Sequence, residues 1–577
     1  MISKWNYLPL TTEQQKSEAA LAQRYATVPP VSELLVQRGI TSVEEAERFF
    51  RPSLRDLHDP FLMPDMDKAV NRLNRAMGSK EKIMVYGDYD VDGTTAVALV
   101  YKYLQNFYSN IDYYIPTRYE DGYGISRHTI DELAQQGVGL VIILDCGIKA
   151  IDEIAYASSL GIDFIICDHH VPDEDLPPAA AILNPKLEDC TYPFKDLSGC
   201  GVGFKLMHAF SMSNGIDPGD LYGMLDLVAV SIAADIVSMT DENRVMAFHG
   251  LKRLNSNPNT GLRAIIKTCQ LLGREITISD VIFKIGPRIN ASGRMQSGRE
   301  AVDLLVSRDM TDALELARAI DQYNRDRKEL DKRITTEANA ILDSRDRGER
   351  LMKSIVIYNK DWHKGIIGIV ASRLTELYYK PAVVLTFSNG LATGSARSVQ
   401  GFDIYSAVDS CRDLLETFGG HTYAVGLSMK EEHIPEFTRR FEQYIANNIT
   451  VEQQTPLVEI DAVLTFADIS NDFLALLRKF NPYGPGNNKP VFCTRAVMDF
   501  GTSKLVGRSL EHIKLELVDN TSGKVLNGIA FNMSKYFDHI TAGKPFDICY
   551  TIEDNKHFPA HNSIQLLIKE IHIDNER

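Results

Sequence analysis

The sequence predicts an α/β protein of several domains: a parallel sheet with crossover helices, a second α/β block reached through one long helix, and a small C-terminal β-barrel. Three observations predict this. From Ile83 onward, short apolar runs alternate with amphipathic helical stretches. Residues 299–347 contain neither Gly nor Pro, and Thr311–Leu342 is rich in Ala, Leu, Glu, Asp, Arg and Lys. After Gln453-Gln454-Thr455-Pro456 the pattern turns to alternating strands, as in His512–Leu517 and Ser563–Ile568.

Taken in order, residues 1–78 read as a polar helical collar, broken at Arg51-Pro52-Ser53 and at Asp59-Pro60. Residues 79–298 form the first α/β domain. Its strands are expected at Ile83–Tyr86, Ile111–Ile115, Leu140–Leu144 and Phe164–Cys167, with helices between them such as Thr94–Phe107 and Ser126–Gln136. Residues 299–350 are read as the connecting helix. At ~1.5 Å per residue its core of roughly 32 residues spans about 48 Å, longer than a domain core needs, so it should tie two bodies together. Residues 351–450 form the second block, with apolar runs at Ser354–Ile357 and Ala382–Leu385, and residues 451–577 form the barrel.

Composition narrows the class. With 44% hydrophobic and 24% charged residues, and with Gly and Pro spread without a period, disordered, collagenous and coiled-coil readings fall away. No stretch approaches the ~20 apolar residues of a membrane helix. Met1-Ile2-Ser3-Lys4-Trp5-Asn6 lacks the apolar run of a signal peptide, so a cytoplasmic location is expected. Eight cysteines without a Cys-x-x-Cys pair fit neither a disulfide framework nor a zinc cage. The net charge of -15 argues against a nonspecific nucleic-acid coat protein, unless part of that charge is balanced by cations.

Gly87-Asp88-Tyr89-Asp90-Val91-Asp92-Gly93 follows the first apolar run directly and precedes a helix. Three carboxylates therefore leave the carboxyl end of a strand, where ligands bind in open α/β sheets. A solvated acidic turn is the bland alternative, and a calcium loop is another. The latter needs a bidentate Glu at its twelfth position, which here is Leu99. The runs Leu140–Leu144 and Phe164–Cys167 end in Asp145-Cys146-Gly147 and Asp168-His169-His170, and Asp235 is embedded in the apolar stretch Ser231–Val237. Singly, Asp145 reads as a helix cap or His169 as a core histidine; jointly, the pattern points to metal. Carboxylate oxygens with one or two imidazoles suit Mn2+ or Mg2+ better than zinc. So many acids suit two ions that share a carboxylate and promote in-line displacement at phosphorus.

These motifs, in this order, resemble the DHH phosphoesterase superfamily and, within it, the RecJ family of single-strand-specific 5′ to 3′ exonucleases. The resemblance extends over nearly the whole chain. Besides the acidic motifs it rests on Arg118 with Gly122-Tyr123-Gly124, Gly286-Pro287-Arg288-Ile289-Asn290, Trp362-His363-Lys364-Gly365, Gly394-Ser395-Ala396-Arg397, Gly419-Gly420-His421 and Tyr483-Gly484-Pro485-Gly486-Asn487. It implies a DHH catalytic domain, a DHH-associated second domain and an OB fold. It implies metal ligation by Asp88, Asp90, Asp92, Asp145, His169 and Asp235, with Asp145 as the bridge and His170 behind the metals or on the phosphate. Asp90, Asp92, Asp145, His169 and His170 are thereby the expected catalytic residues. Many DHH enzymes carry a metal-binding His where this chain has Tyr86, so Asp88 is expected to take that role. The implied substrate contacts are Arg118, Tyr123, Arg288, Asn290, Ser395, Arg397, Gly419, Gly420 and His421. Of these, Arg118 joins Ser395 and Arg397, in the loop after a strand, to hold a terminal 5′ phosphate, and Tyr123 stacks a base.

Lys504, Arg508 and Lys514 are candidate backbone contacts on the barrel, although lysines on a barrel are usually just solvated; His557–Asn562 departs from the Gly-containing turn expected there. The implied activity is removal of 5′-mononucleotides from single-stranded DNA in recombination and repair, with two Mn2+ or Mg2+ ions. A helicase and a single-strand-binding protein are the candidate protein partners. No G-x-x-x-x-G-K-[ST] loop is present, so ATP-driven unwinding is not implied. The rival readings are a DHH phosphodiesterase acting on short oligoribonucleotides or cyclic dinucleotides, and an inactive DNA-binding scaffold.

Overall fold

The computed structural model describes residues 3–25, 28, 30–117, 124–346, 348, 351–554 and 564–573. They divide into two compact units. The larger comprises His58–Val237 and Asp241–Pro456, and the smaller comprises Ser3–Leu57, Ser238–Thr240 and the chain from Leu457 onward.

In the larger unit, helix α1 (Met66–Gly78) leads into strand β1 (Lys82–Gly87), and α2 (Val91–Leu104) leads to β2 (Ile111–Tyr114). Then follow α3 (Arg127–Gln135), β3 (Val138–Leu144), α4 (Ile151–Ser159), β4 (Asp163–Cys167) and β5 (Ala181–Leu183). The sheet order is β2-β1-β3-β4-β5, and every pair is parallel. Each expected strand is present: the apolar runs of β1, β3 and β4 are buried on both faces, as a parallel sheet flanked by helices requires, while β2 at the sheet edge alternates buried and half-buried residues. The helix starts are equally local. Asp90 caps α2 by accepting from Gly93 N at 3.0 Å, and Ser126 caps α3 through Thr129 N at 3.1 Å. Two further helices, α5 (Gly199–Ser213) and α6 (Leu225–Asp235), pack against α2.

After α7 (Gly286–Met295) and α8 (Gly298–Val306) comes the long helix α9 (Met310–Ser344). It begins after a break at Ser307–Asp309, where Asp309 accepts from Thr311 N at 2.7 Å and Asp312 N at 3.2 Å. The helix is a strut between the two blocks of this unit. Asp321 pairs with Arg288 of α7 at 2.8 Å, while Asp331 pairs with Arg373 at 2.7 Å and Glu337 accepts from the Trp362 indole at 2.8 Å.

The second block contains β6 (Ile355–Tyr358), α10 (Ile367–Tyr378), β7 (Ala382–Ser388), β8 (Leu391–Arg397), β9 (Leu415–His421), β10 (Ala424–Met429) and α11 (Ile434–Asn448). Its sheet order is β9-β10-β8-β7-β6, with only β6 and β7 parallel. One expectation changes here: Ser395 and Arg397 lie on strand β8, not in a loop after a strand. The turn at Asn389-Gly390, with φ of 51° and 81°, folds the chain back at once into an antiparallel hairpin.

In the smaller unit, Phe492–Asp499, Phe546–Asp554, Ile564–His572, Val525–Ala530 and His512–Asp519 form a barrel that closes where Val497 pairs with Asp519. Residues 1–78 do not act as one collar. Lys4–Tyr7 pairs in parallel with Leu457–Ile460, and Leu21, Val31, Leu34 and Leu35 share one core with Phe473, Phe492 and Tyr550. Helix α1 instead belongs to the larger unit. The division follows from burial: each amphipathic helix joins the core that covers its apolar face. All eight cysteines are free and seven are buried.

Candidate metal centre

The strand order 2-1-3 places a topological switch between β1 and β3, and ligands bind at the carboxyl edge of such a switch. Register makes the edge common to three strands, since Gly87 pairs with Leu144 and Leu144 with Cys167. The residues that follow, Asp88, Asp145 and Asp168, therefore leave the sheet side by side.

Among the described residues, three groupings of side chains are close enough to share an ion: Asp88, Asp90 and Asp145; Asp92, His169 and Asp235; and Asp145, His169 and His170. Within each, the candidate donor atoms lie within 4.8 Å of one another. Asp145 joins two of them, and His169 joins two. Asp145 holds a left-handed backbone, φ 60°, which is costly for a residue other than Gly, Asn or Asp and turns its carboxylate back over the edge. Asp235 ends α6, just before left-handed Ile236. Two glycines permit the convergence. A Cβ at Gly93 would lie 2.4 Å from the Asp88 carbonyl oxygen, and one at Gly199 would lie 2.6 Å from the Asp145 Cβ.

Asp92 is fixed from behind. Its oxygens accept from Gly199 N at 2.6 Å, Cys200 N at 2.8 Å and the Ser231 hydroxyl at 2.7 Å. The amino end of α5, capped by Ser198, thus points its backbone N–H groups at a buried carboxylate. In the Asp168-His169-His170 turn, Asp168 organises rather than ligates. It accepts from Ile148 N at 3.0 Å, His169 N at 2.7 Å and His170 N at 3.1 Å, and it holds His170 Nδ1 at 2.7 Å. Burial alone would raise its pKa, but the His170 hydrogen bond and charge and these N–H groups bring it down to about 2. His169 instead aims Nε2 at Asp145 (3.1 Å), Asp235 (3.6 Å) and Asp92 (3.8 Å). Tyr86 is not turned to the cluster. Its hydroxyl donates to the Gly124 carbonyl at 2.7 Å and its ring stacks on Tyr114.

Electrostatics tests whether this donor set fits a cation. Burial, then the neighbouring carboxylates of Asp92 and Asp90, push Asp145 well above the usual range and Asp235 up to about 8. Burial with the Asp92 charge also raises Asp90. Burial lowers the His169 pKa, which favours the neutral imidazole that a cation takes as a ligand. Oxygen-rich, with one neutral nitrogen and strong mutual repulsion, the set fits divalent cations of the Mn2+ and Mg2+ kind.

A raised carboxyl pKa stabilises the metal-free fold below pH about 4, and that contribution is lost as pH rises toward the folded-state values, about 8 for Asp235. Cations compete with protons for the same oxygens. The gain in Tm on adding Mn2+ should therefore be larger at pH 8 than at pH 6 by differential scanning fluorimetry; equal gains would contradict a carboxylate cation site.

Facing this edge is β9 of the second block. The His421 ring lies 6.5 Å from that of His170, nearly parallel at 12°. Burial is the largest influence on His170 and acts to lower its pKa, but the Asp168 hydrogen bond and charge outweigh it, so the pKa is raised. Burial and the charges of His170 and Lys149 lower His421. Gly419 has open space where a Cβ would stand, whereas Gly420 is required by its own hairpin, since a Cβ would sit 2.2 Å from the Ala424 carbonyl oxygen. Ser395 and Arg397 project from one face of β8 against the first turn of α10. A Cβ on Gly368 would stand 3.1 Å from both Ser395 Oγ and an Arg397 terminal nitrogen. That helix start has no side-chain cap, so its amino end lies beside the guanidinium without one.

Arg288 is committed to Asp321 and to the Lys284 carbonyl, at 2.8 and 2.7 Å, and thus serves the strut. Asn290 is half-buried on α7. Arg118 and Tyr123 lie outside the described residues. Sequence reasoning missed Ser198, Ser231 and the Gly199-Cys200-Gly201 helix start, whose glycine pattern was a usable signal for an anion at a helix terminus. It also missed Lys186, whose charge reaches His169, Asp235 and His421.

Comparison with known proteins fits this architecture. Residues 82–232 match the DHH family, N-terminal domain; residues 351–447 match the DHHA1 domain; residues 460–570 match the RecJ OB domain. The single-stranded-DNA-specific exonuclease RecJ of Bacillus subtilis is 36% identical over 99% of this chain and 71% of its own length. That of Haemophilus influenzae is 32% identical over 96% and 98%. RecJ of Thermus thermophilus solved with Mn2+ shares the fold at TM-score 0.84, with 24% identity over 99% of this chain and 79% of that one. The same protein solved with Mg2+ gives TM-score 0.78 at 23% identity over 99% and 78%. Full-length similarity to curated members at this level places the chain in the RecJ family of single-stranded-DNA-specific exonucleases.

Proposed function

We propose that this protein is a metal-dependent exonuclease that degrades single-stranded DNA from its 5′ end, releasing 5′-mononucleotides in recombination and repair. The observation that carries the reading is the sharing of Asp145 and His169 among three donor groupings at one sheet edge, with His421 of the second block 6.5 Å from His170. Asp88, Asp90, Asp92, Asp145, His169 and Asp235 would hold two Mn2+ or Mg2+ ions, with Asp145 between them. Bound there, divalent cations supply Lewis-acid polarisation of the phosphate and activation of water.

The chain's own groups do the rest. The α5 N–H groups and Ser231 keep Asp92 in one orientation, so the carboxylate cage does not reorganise during the reaction. His170, held through Nδ1 by Asp168, is placed to contact the phosphate, and His421 contacts the same group from the second block. Arg397, Ser395 and the amino end of α10 take the terminal 5′ phosphate, because a planar guanidinium beside a helix amino end matches phosphate oxygens. A grip on the terminal phosphate sets the first phosphodiester bond at the metals, which accounts for mononucleotide release. Digestion of 5′- and 3′-end-labelled single strands, and of the duplex, with and without Mn2+ tests this reading. Labelled mononucleotide should appear first from the 5′ label, only with metal, and not from the duplex.

On the barrel, Lys504 and Lys514 stand opposite each other on adjacent strands, both exposed, with Arg508 in the connecting turn. We assign them to the backbone of a longer strand. Lys504→Glu with Lys514→Glu should weaken binding of long single strands and reduce the salt dependence of log K by about 1.4, at ~0.7 for each phosphate no longer neutralised. Cleavage of very short oligonucleotides should not change. An equal loss at all lengths would remove this face from the DNA track.

A further inference from the structure

Asp168 holds His170 by its N–H and by its ring, accepting from His170 N at 3.1 Å and meeting Nδ1 at 2.7 Å. Beyond His170 the chain runs out to the surface: Val171 is 56% exposed, and Asp173–Leu176 are exposed as well. The carboxyl end of the Asp168-His169-His170 turn therefore needs a hold of its own.

Asn184 supplies it. Its Nδ2 donates to the His170 carbonyl at 2.8 Å, and its Oδ1 accepts from Lys186 N at 2.8 Å. The two bonds fix the amide in one orientation, because a carbonyl only accepts and a backbone N–H only donates. Asn184 is 0% exposed, so its amide, taken out of water, depends on these bonds.

The sheet explains why Asn184 stands there. Cys167 of β4 pairs with Leu183 of β5 in parallel register, and Asp168 N donates to the Leu183 carbonyl at 3.0 Å. The residue after Leu183 is thereby carried to the edge where the turn begins. Pro185 comes next and disfavours a helical backbone at Asn184, and Leu187 N closes a turn onto the Asn184 carbonyl at 3.4 Å. All of these residues belong to the larger unit.

We infer that Asn184 is a positioning residue for His170: tied to the His170 carbonyl, it sets where the imidazole stands against the phosphate and opposite His421, whose ring lies 6.5 Å away at 12°. The inference rests on the reading of His170 as a phosphate contact. Asn184 acts through His170 and holds no metal, and the grip on the terminal phosphate at Ser395 and Arg397 is separate from it. Its loss should thus appear in kcat and not in KM. The effect should also vanish when His170 is already gone, because residues that act as one unit do not contribute additively.

The test measures kcat and KM of the full-length protein on a short 5′-phosphorylated strand, with Mn2+ dissociation followed by the electron paramagnetic resonance signal of the free ion. Asn184→Leu keeps much of the side-chain volume and removes both bonds; Asn184→Ala removes volume as well and decides the matter if the Leu variant does not fold. Each is made alone and together with His170→Ala. The single variants should lower kcat about tenfold, the lower end of what groups orienting a functional side chain contribute, with KM and Mn2+ dissociation within about twofold of the parent. In the His170→Ala background the same changes should cost less than about twofold. An equal loss in both backgrounds overturns the inference, and so does parent-like turnover in the folded single variants. Weakened Mn2+ binding, with turnover restored by excess Mn2+, overturns it too, since Asn184 would then act through the neighbouring His169. Parent-like turnover in His170→Ala overturns the reading of His170 and the inference with it.

Discussion

Replacing Asp145 with Asn is expected to lower turnover on single-stranded DNA on the order of 10³-fold or more at saturating Mn2+, with no loss of fold. The magnitude follows from the several kcal/mol of charge stabilisation that bound metals contribute, and from the position of Asp145 in two of the three donor groupings. Asn is the informative substitution because it tolerates the left-handed backbone that Asp145 adopts, φ 60°, where Ala would add strain. The same change relieves repulsion from Asp92, Asp90, Asp235 and Asp88, which raises the Asp145 pKa after burial itself. The Tm of metal-free Asp145→Asn at pH 8 should therefore equal or exceed that of the parent. Turnover within a few-fold of the parent, in a folded variant, would remove Asp145 from the metal centre.

The second large effect is expected at Arg397. Arg397→Ala should reduce kcat/KM on 5′-phosphorylated strands about 10²-fold, the equivalent of two hydrogen bonds to a charged group at roughly 1.5 kcal/mol each. On 5′-hydroxyl strands the reduction should be much smaller. The guanidinium is drawn into a desolvated corner, where burial lowers its pKa and Ser395 Oγ accepts from it at 2.7 Å. An equal loss on both substrates would make Arg397 a general backbone contact, and the basis of 5′ polarity would have to lie elsewhere. Because Ser395 sits on the same face of β8, Ser395→Ala should act in the same direction with a smaller effect.

The parts of the fold that were legible share one physical property: their signals are local. Apolar runs ending in Asp145 and Asp168 read as buried parallel strands whose carboxyl ends carry chemistry, and register then brings them to one edge. The absence of Gly and Pro between residues 299 and 347 was enough to read a long helix. What was not legible depends on distant partners. The chain before residue 57 read as polar helix, and nothing local says that Leu21 and Leu34 share a core with Phe473 and Phe492. Arg288 reads as a free cation in its motif, yet Asp321, 33 residues on, takes it up. The Gly199 start of α5 is 107 residues from the Asp92 carboxylate that it cradles. The β7–β8 hairpin, by contrast, carried its Asn389-Gly390 signal in plain view. It was obscured because Ala392, Gly394 and Ala396 lack the branched residues by which strands are usually recognised.

This shared core also governs how the barrel is tested. Truncation after the second block would strip Leu21, Val31 and Leu34 of their partners. Charge reversal at Lys504 and Lys514 separates DNA contact from those structural losses.

The central claim is that the carboxyl edge of β1, β3 and β4 is a two-metal hydrolytic centre built around Asp145. Anomalous diffraction from a Mn2+-soaked crystal, recorded on both sides of the manganese absorption edge, tests it most directly. The account predicts two peaks within about 4 Å of each other, both in contact with the Asp145 carboxylate, one beside Asp88 and Asp90 and the other beside Asp92, His169 and Asp235. A single peak, or peaks away from Asp145, would contradict it.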